Sequence, residues 1–212
     1  VETDVETSSE NTIFVGIDGR YIAEKTAAIN RINEIRKEAC NEGVINPATG
    51  EALTSDDYVE IKWSYDLEYI ARIRAAESAF TLAHLRTNGN TWDLIKSPNN
   101  VNSLGEVLAW NDLDSDDQDI AIEGIEQWYE EKADWVNNTG AVTGHYTQMI
   151  DPTNKYVGIG TFSSSGTFYM NCTAGEFSSE ADLSEDELSD SDDCIIQKLE
   201  ISCDYISNAV IC

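Results

Sequence analysis

The sequence predicts an α+β domain, because helical periodicity dominates its first two thirds and strand-like alternation follows. Small and apolar side chains recur at three- and four-residue steps over 21–40 and again over 67–82, which predicts two amphipathic helices. The second of these helices is expected to end at Asn88-Gly89. Beyond residue 140, alternation over 156–162 and 168–172 predicts an antiparallel pair of strands.

A third helix is expected to start in the acidic stretch at 112–119. Ser115 and Gln118 fit a capping box, and the apolar face then runs through Trp128 to Trp135. The alternating aspartates of this stretch imitate an EF-hand calcium loop, but an aspartate replaces the glycine that such a loop needs. We therefore interpret the stretch as the capped start of a helix.

The chain of 212 residues carries 40 acidic and 13 basic side chains, a formal net charge of −27. That charge repels nucleic acid and anionic membrane surfaces, so neither is expected as a partner. No run approaches the roughly 20 apolar residues that cross a bilayer, which predicts no transmembrane segment. The acidic composition and a start on Val1 predict an extracellular or cell-surface protein, its signal peptide removed or outside the sequence.

The cysteine content also favours an oxidising compartment outside the cytoplasm. The five cysteines are Cys40, Cys172, Cys194, Cys203 and Cys212. None forms a C-x-x-C pair, which disfavours a zinc knuckle or a thioredoxin-type motif. Their pairing stays open, and the odd number leaves at least one thiol free or bonded to another chain.

Composition divides the chain into four parts. Residues 1–15 are expected to be an acidic tail and residues 16–178 the folded domain. The stretch 176–193 holds nine acids and no base, which predicts a solvated linker that we delimit at 179–193. The cysteine-containing segment 194–212 is apolar again and could add a strand or hairpin.

Four ionisable residues are candidates for chemistry. His84 and His145 are the two histidines of the chain, and a lone histidine is more often structural than a ligand. Glu131 falls on the same predicted helical face as two tryptophans, and Glu106 interrupts an apolar run. A carboxylate in apolar surroundings needs an ion pair, hydrogen bonds or a metal. The residues alone leave both a capping role and a metal-binding role open for these glutamates.

The segment Gly-His-Tyr-Thr-Gln-Met at 144–149 resembles the signature of the CAP superfamily, the family of cysteine-rich secretory proteins, antigen 5 and pathogenesis-related 1 proteins. The resemblance covers residues 21–178, approximately, and within the superfamily the chain is most similar to the bacterial-type SCP domain. Further matching elements follow in the same order: Asn33 and Arg36 of an N-x-x-R pattern, 71–77 with 84–89, Gly105-Glu106, the W-Y-x-E element at 128–131, and the strand at 156–160.

The resemblance implies a three-layer α-β-α sandwich with a small antiparallel sheet and a central cleft. It also implies a divalent ion, often zinc in relatives, held by His84 and His145. The remaining cleft residues implied by the family pattern are Glu106, Glu131, Tyr146 and Gln148.

We expect a secreted, monomeric, non-enzymatic binding module whose ligand is a protein, a peptide or a lipid. The first alternative is a zinc-dependent hydrolase of peptide or ester bonds, in which Glu106 or Glu131 activates a metal-bound water. Others are a lipid or sterol carrier, and a structural module of a larger cell-surface protein. No G-x-S-x-G motif occurs, which disfavours a serine triad.

Overall fold

The computed structural model describes residues 11–21, 24–111, 120–164, 170–180, 188 and 193–204. The helices are α1 (Lys25–Glu42), α2 (Tyr65–Ser78), α3 (Ile120–Glu130), α4 (Lys132–Asn137) and α5 (Gly144–Ile150). The strands are β1 (Thr12–Tyr21), β2 (Lys62–Trp63), β3 (Gly105–Asn111), β4 (Tyr156–Ser164), β5 (Met170–Ser178) and β6 (Asp193–Ser202). Single 3-10 turns lie at Ser55–Asp57 and Trp92–Leu94.

The strands form one sheet in the order β3-β5-β4-β1-β6, with the short β2 beside β4. The β2–β4 pair is parallel and the other pairs are antiparallel. Helix α2 packs on one face, and α1, α3 and α5 pack on the other around Val107, Trp128 and Ile159. The predicted α+β class and α-β-α sandwich are confirmed.

Helix α2 lies directly against β4 because two glycines of that strand face it. A Cβ at Gly158 would fall 2.0 Å from the backbone nitrogen of Glu68, and one at Gly160 would fall 2.3 Å from the backbone of Ala71. Any side chain at these positions would push the helix off the sheet. The helix therefore excludes water from the strand face beneath it.

The N-x-x-R pattern anchors α1 to distant loops. Asn33 accepts from the backbone N–H of Ile61 at 2.9 Å and donates to its carbonyl at 3.1 Å. Arg36 is buried and donates to three backbone carbonyls, at distances of 2.8, 2.9 and 3.1 Å. Those carbonyls belong to Val59, Met149 and Asn154. The first helix thereby fixes the segment before β2 and the end of α5.

Helix α2 is shorter than its sequence pattern predicts. It ends at Ser78 rather than at Asn88-Gly89, so His84 lies in the following loop and not at the end of the helix. The Nη2 group of Arg74 donates to the carbonyl of Ala83 at 2.5 Å and holds this loop against α2. The continued apolar pattern belongs to loop residues, several of which are exposed.

The predicted third helix is broken in two at Glu131. Helix α3 ends at Glu130 and α4 begins at Lys132, so the prediction of one helix through Trp135 is wrong. The Glu131 side chain turns instead toward the first residues of α5. The proposed capping box and the calcium-like acidic stretch lie at 112–119, outside the described residues.

Both ends of the described chain contribute strands. Strand β1 begins at Thr12, inside the segment expected as a tail, and it pairs along its whole length with β6. Strand β6 confirms that the cysteine-containing segment can add a strand, and it starts at Asp193, the last residue of the expected linker. This pairing brings both ends into the sheet, where alternating apolar side chains of β6 such as Leu199 and Ile201 are buried.

Three of the five cysteines are described with their side chains, and all three are free thiols. Cys40 and Cys172 are buried, and Cys203 is partly exposed. Burial raises the pKa of Cys172 to about 12, which keeps that thiol protonated. Within the described ranges, no helix is both long enough and apolar enough to span a membrane.

Candidate functional site

His84 and Glu106 form the first of two histidine–glutamate pairs. Nδ1 of His84 lies 2.7 Å from Oε1 of Glu106. The His84 side chain is 59% exposed, whereas the Glu106 side chain is fully buried in β3. An ionised carboxylate can only accept, so the neutral imidazole donates through Nδ1 and keeps the lone pair of Nε2 for another partner.

Arg74 of α2 holds Glu106 from the other side. Its Nε donates to Oε2 of Glu106 and its Nη2 donates to Oε1 at 3.3 Å. Its Nη1 donates to Glu77 at 2.6 Å, and Glu77 also accepts from Arg86 at 2.7 Å. Burial alone would lower the pKa of Arg74, but the Glu106 and Glu77 carboxylates raise it above its ordinary value. The arginine is therefore a fixed cation beneath the His84 pair.

Glu176 is a buried member of this cluster that sequence analysis missed. It lies in β5 directly opposite Glu106 and is fully buried, although it opens the acidic stretch 176–193 and stands only three residues before the linker delimited at 179–193. Burial, with the Glu106 carboxylate as the next cause, raises its pKa well above the ordinary range. The strand continues past the predicted residues 168–172 to Ser178, and the charge of Glu176 hides that continuation in the sequence.

Glu131 and His145 form the second pair. Oε1 of Glu131 lies 2.7 Å from Nδ1 of His145. Oε2 accepts from the backbone N–H groups of His145 at 2.9 Å and Tyr146 at 3.1 Å. These are the second and third residues of α5, whose N-cap residue Thr143 makes no side-chain cap. Glu131 therefore caps α5 and orients the His145 ring, and Nε2 of that ring is left for a ligand.

Tyr146 and Gln148 follow His145 on α5, and their side chains contact residues outside the two pairs. Tyr146 is fully buried, and its ring stacks edge-on against Tyr129 with the centroids 6.1 Å apart. Burial raises the pKa of Tyr146, so its phenol stays protonated. The amide of Gln148 lies over Gly105, where a Cβ would fall 2.5 Å from Oε1. A glycine before Glu106 thus allows α5 to pack closely on β3.

The two pairs are built from different layers of the fold. The partners of Glu106 lie on α2 and in the loop that follows it, while His145 stands on α5 in the opposite layer. In the described part of the chain no hydrogen bond or ion pair joins one pair to the other. Nor do three described His, Cys, Asp or Glu side chains group closely enough to hold one metal ion.

Two cavities lie away from these pairs. One of about 310 Å³ is lined by α1 and β2 residues together with Leu188. The other, of about 380 Å³, is mostly apolar and is lined by Tyr129, Ala133 and Val136, with Glu42 and Lys132 at its rim. Neither is lined by a residue of the two histidine–glutamate pairs.

Known proteins share this architecture, as comparisons of the sequence and of the fold show. The sequence model of the CAP family, described as the cysteine-rich secretory protein family, matches residues 29–177. The chain therefore belongs to the CAP family. No curated protein sequence matches it.

Solved structures of venom allergen-like proteins resemble the chain. BmVAL-1 is 16% identical with a TM-score of 0.52, and the match covers 73% of this chain and 75% of that one. The venom allergen-like protein 4 of Schistosoma mansoni is 15% identical with a TM-score of 0.47, covering 79% and 97%. At these identities the likeness to BmVAL-1 shows the fold alone.

Proposed function

We propose that the protein is a secreted, non-enzymatic binding module whose two histidine–glutamate pairs present imidazole Nε2 atoms to a ligand, including a divalent ion such as zinc. One observation carries this proposal: the Nδ1 atom of each histidine is held by a glutamate carboxylate at 2.7 Å. Metal-binding histidines almost always donate their second ring N–H to a carboxylate or carbonyl, which fixes the tautomer and the direction of the free nitrogen.

The residues fit such an ion only as an open, partial site. His84 and His145 would supply two nitrogen ligands, and water or groups of a bound partner would supply the others. The described residues offer no group of three metal-binding side chains, and structural zinc sites have four protein ligands. We therefore expect exchangeable binding of the ion, with the glutamates acting through the histidines.

The hydrolase alternative is less favoured because both glutamates are already engaged. The Glu106 carboxylate binds Arg74 and His84, and the Glu131 carboxylate binds His145 and two backbone N–H groups. A general base needs a free oxygen within reach of the water that it deprotonates. Incubating the zinc-treated protein with a panel of peptide and ester substrates tests this. Turnover abolished by Glu131→Gln would establish the hydrolase instead.

Calorimetric zinc titration tests the metal proposal. We expect saturable binding to the unmodified protein and its loss in both His84→Ala and His145→Ala. Glu130→Gln is the control, because Glu130 is an exposed acid next to Glu131 and its loss should leave binding unchanged. Equal binding by all four proteins would instead assign the zinc to the acidic surface. Absence of binding by the unmodified protein would remove the metal from the proposal.

A second candidate function is transport of an acyl chain. The observation that favours it is the mostly apolar cavity of about 380 Å³ beside α4. A fluorescent fatty acid should bind the protein and be displaced by an unlabelled one. Val136→Glu, at the cavity, should abolish that binding. Val142→Glu, at a site 80% exposed and outside the cavity lining, should not.

Secretion is proposed from family membership and from the charge of −27, since a highly acidic surface suits an exterior protein. Detection of the native protein in culture medium or at the cell surface, and not in the cytoplasm, is the expected result. Native mass spectrometry of the purified protein should show a monomer.

A further inference from the structure

Glu106 and Glu176 face each other inside the protein, and both side chains are buried. They are direct partners across the antiparallel pair β3–β5, and both side chains point to the face that α2 covers. Side chains at such positions have Cβ atoms about 5 Å apart. Glu176 has no exposed surface, and its neighbour on the other side is Gly158, which adds no side chain.

The carboxyl group of Glu176 lacks a well-formed hydrogen bond from any described residue. Within the described structure, neither of its carboxyl oxygens has a hydrogen-bond partner. The N–H groups of Arg74 are directed to Glu106, Glu77 and the carbonyl of Ala83, and Ser103 donates to a backbone carbonyl. Arg74 and Ser103 are near enough to favour an ionised Glu176, but burial and the adjacent Glu106 carboxylate outweigh them, so the ionised form would be a buried, poorly compensated charge.

The charges of the cluster lead to the same result. The groups that face this space are Glu106 from β3, Arg74 and Glu77 from α2, and His84 and Arg86 from the loop after α2. Glu68 of α2 is turned away toward Lys25 and Arg72. With a neutral His84, three carboxylates would face two guanidinium groups. The cluster is neutral when one carboxyl group carries a proton.

We propose that Glu176 is a neutral carboxylic acid whose O–H is donated to the Glu106 carboxylate, which makes Glu176 a positioning residue for the His84 pair. Glu106 then has a partner on every side: Arg74 from α2, His84 from the loop and Glu176 from β5. The donated proton removes the repulsion between adjacent carboxylates. Glu106 thereby stays ionised and keeps its ion pair with Arg74 and its hydrogen bond with His84.

The upward shift of the Glu176 pKa supports this assignment, since burial and the neighbouring Glu106 carboxylate both favour the protonated form. The assignment concerns the buried side of Glu106 and does not require a ligand at His84. It can therefore hold whether or not the zinc proposal holds.

Infrared spectroscopy of protein whose glutamates carry 13C at the side-chain carboxyl carbon tests the proposal directly. At neutral pH the unmodified protein should show the stretch of a protonated, hydrogen-bonded carboxyl group among its carboxylate bands. That stretch should vanish in Glu176→Gln and persist in Glu68→Gln, because Glu68 is a buried carboxylate that pairs with Lys25 and Arg72 outside this cluster. A neutral-pH spectrum without the protonated band, or a band that survives in Glu176→Gln, would overturn the proposal.

The pH dependence of unfolding gives a second readout that a purely structural role would not produce. The folded protein holds a proton that the unfolded chain releases near pH 4.3, so stability must fall as pH rises above that value until the folded group ionises. In this window the unfolding equilibrium constant of the unmodified protein should rise about tenfold per pH unit relative to Glu176→Gln. The amide of the variant still donates to Glu106, so folding should be retained. Parallel pH profiles would contradict the proposal.

Discussion

The Glu131 carboxylate binds the ring and the backbone of the same residue, His145. One oxygen lies 2.7 Å from Nδ1, and the other accepts from the backbone N–H at 2.9 Å. The orientation of the imidazole and the start of α5 therefore both depend on one side chain, which comes from the junction between α3 and α4. Glu106 has no such role for His84, because its second contact is an ion pair with Arg74.

Glu131→Gln should destabilise the protein by about 1 to 3 kcal/mol. The amide keeps one acceptor, but its NH2 group meets the backbone N–H groups of α5 or the ring N–H. Urea unfolding followed by circular dichroism measures the loss. Thr143→Ala is the matched control, because Thr143 makes no side-chain cap and its change should fall within about 0.5 kcal/mol. An equal loss in both variants would contradict the capping role.

Replacement of Arg74 should be more damaging than replacement of a surface arginine. Arg74→Met leaves the buried carboxylates of Glu77 and Glu106 without their shared cation, and a loss of about 3 to 5 kcal/mol is expected. Arg31→Met breaks a partly exposed pair with Glu126 and should lose about 1 kcal/mol or less. The stability losses of the two variants can be compared by thermal and urea unfolding at the same pH and salt concentration. Similar losses would show that the buried pairing contributes little.

Gly158→Ala should destabilise the protein by about 3 kcal/mol or more. The added methyl would overlap the backbone of Glu68, and a helix backbone cannot move aside as a flexible side chain can. Gly144→Ala adds the same methyl where nothing lies within 4 Å, so stability should change by less than about 1 kcal/mol. The two variants can be compared by differential scanning calorimetry. A tolerated alanine at Gly158 would refute the close packing of α2 on β4.

Arg36→Met should lose about 3 kcal/mol or more, because three buried backbone carbonyls would lose their donor. Lys37→Met is the control at the next position, where the lysine is exposed and lies over the ring face of Tyr58. Unfolding in urea should separate the two variants clearly. Amide exchange of the segment before β2 should accelerate only in the Arg36 variant.

Periodicity predicted the α+β class well because it reports burial, whereas the three layers were implied by the family resemblance. The apolar stripe of α1 and the alternation in β4 each mark one buried face, and those faces meet in the core. Element ends were less predictable. The break at Glu131 depends on hydrogen bonds to α5, and such long-range contacts leave no local pattern.

The candidate site was predictable as a set of residues and not as a network. The two pairs, His84 with Glu106 and His145 with Glu131, involve the four residues that motif and burial arguments singled out. The role of Glu176 depends on its register opposite Glu106, which is set by strand pairing. An acid beside a long acidic stretch carries no sequence sign of that burial.

The pairing of β1 with β6 has a consequence for how the chain folds during synthesis. Thr12 is made early and its partner Ser202 near the end of the described chain, and the sheet cannot close until both exist. Pairing of such distant segments is slow, since a long loop must be ordered before the contact forms. On the ribosome, β1 must therefore wait beside β4 with one edge unpaired. Until β6 has formed, that edge stays open to pairing with another chain.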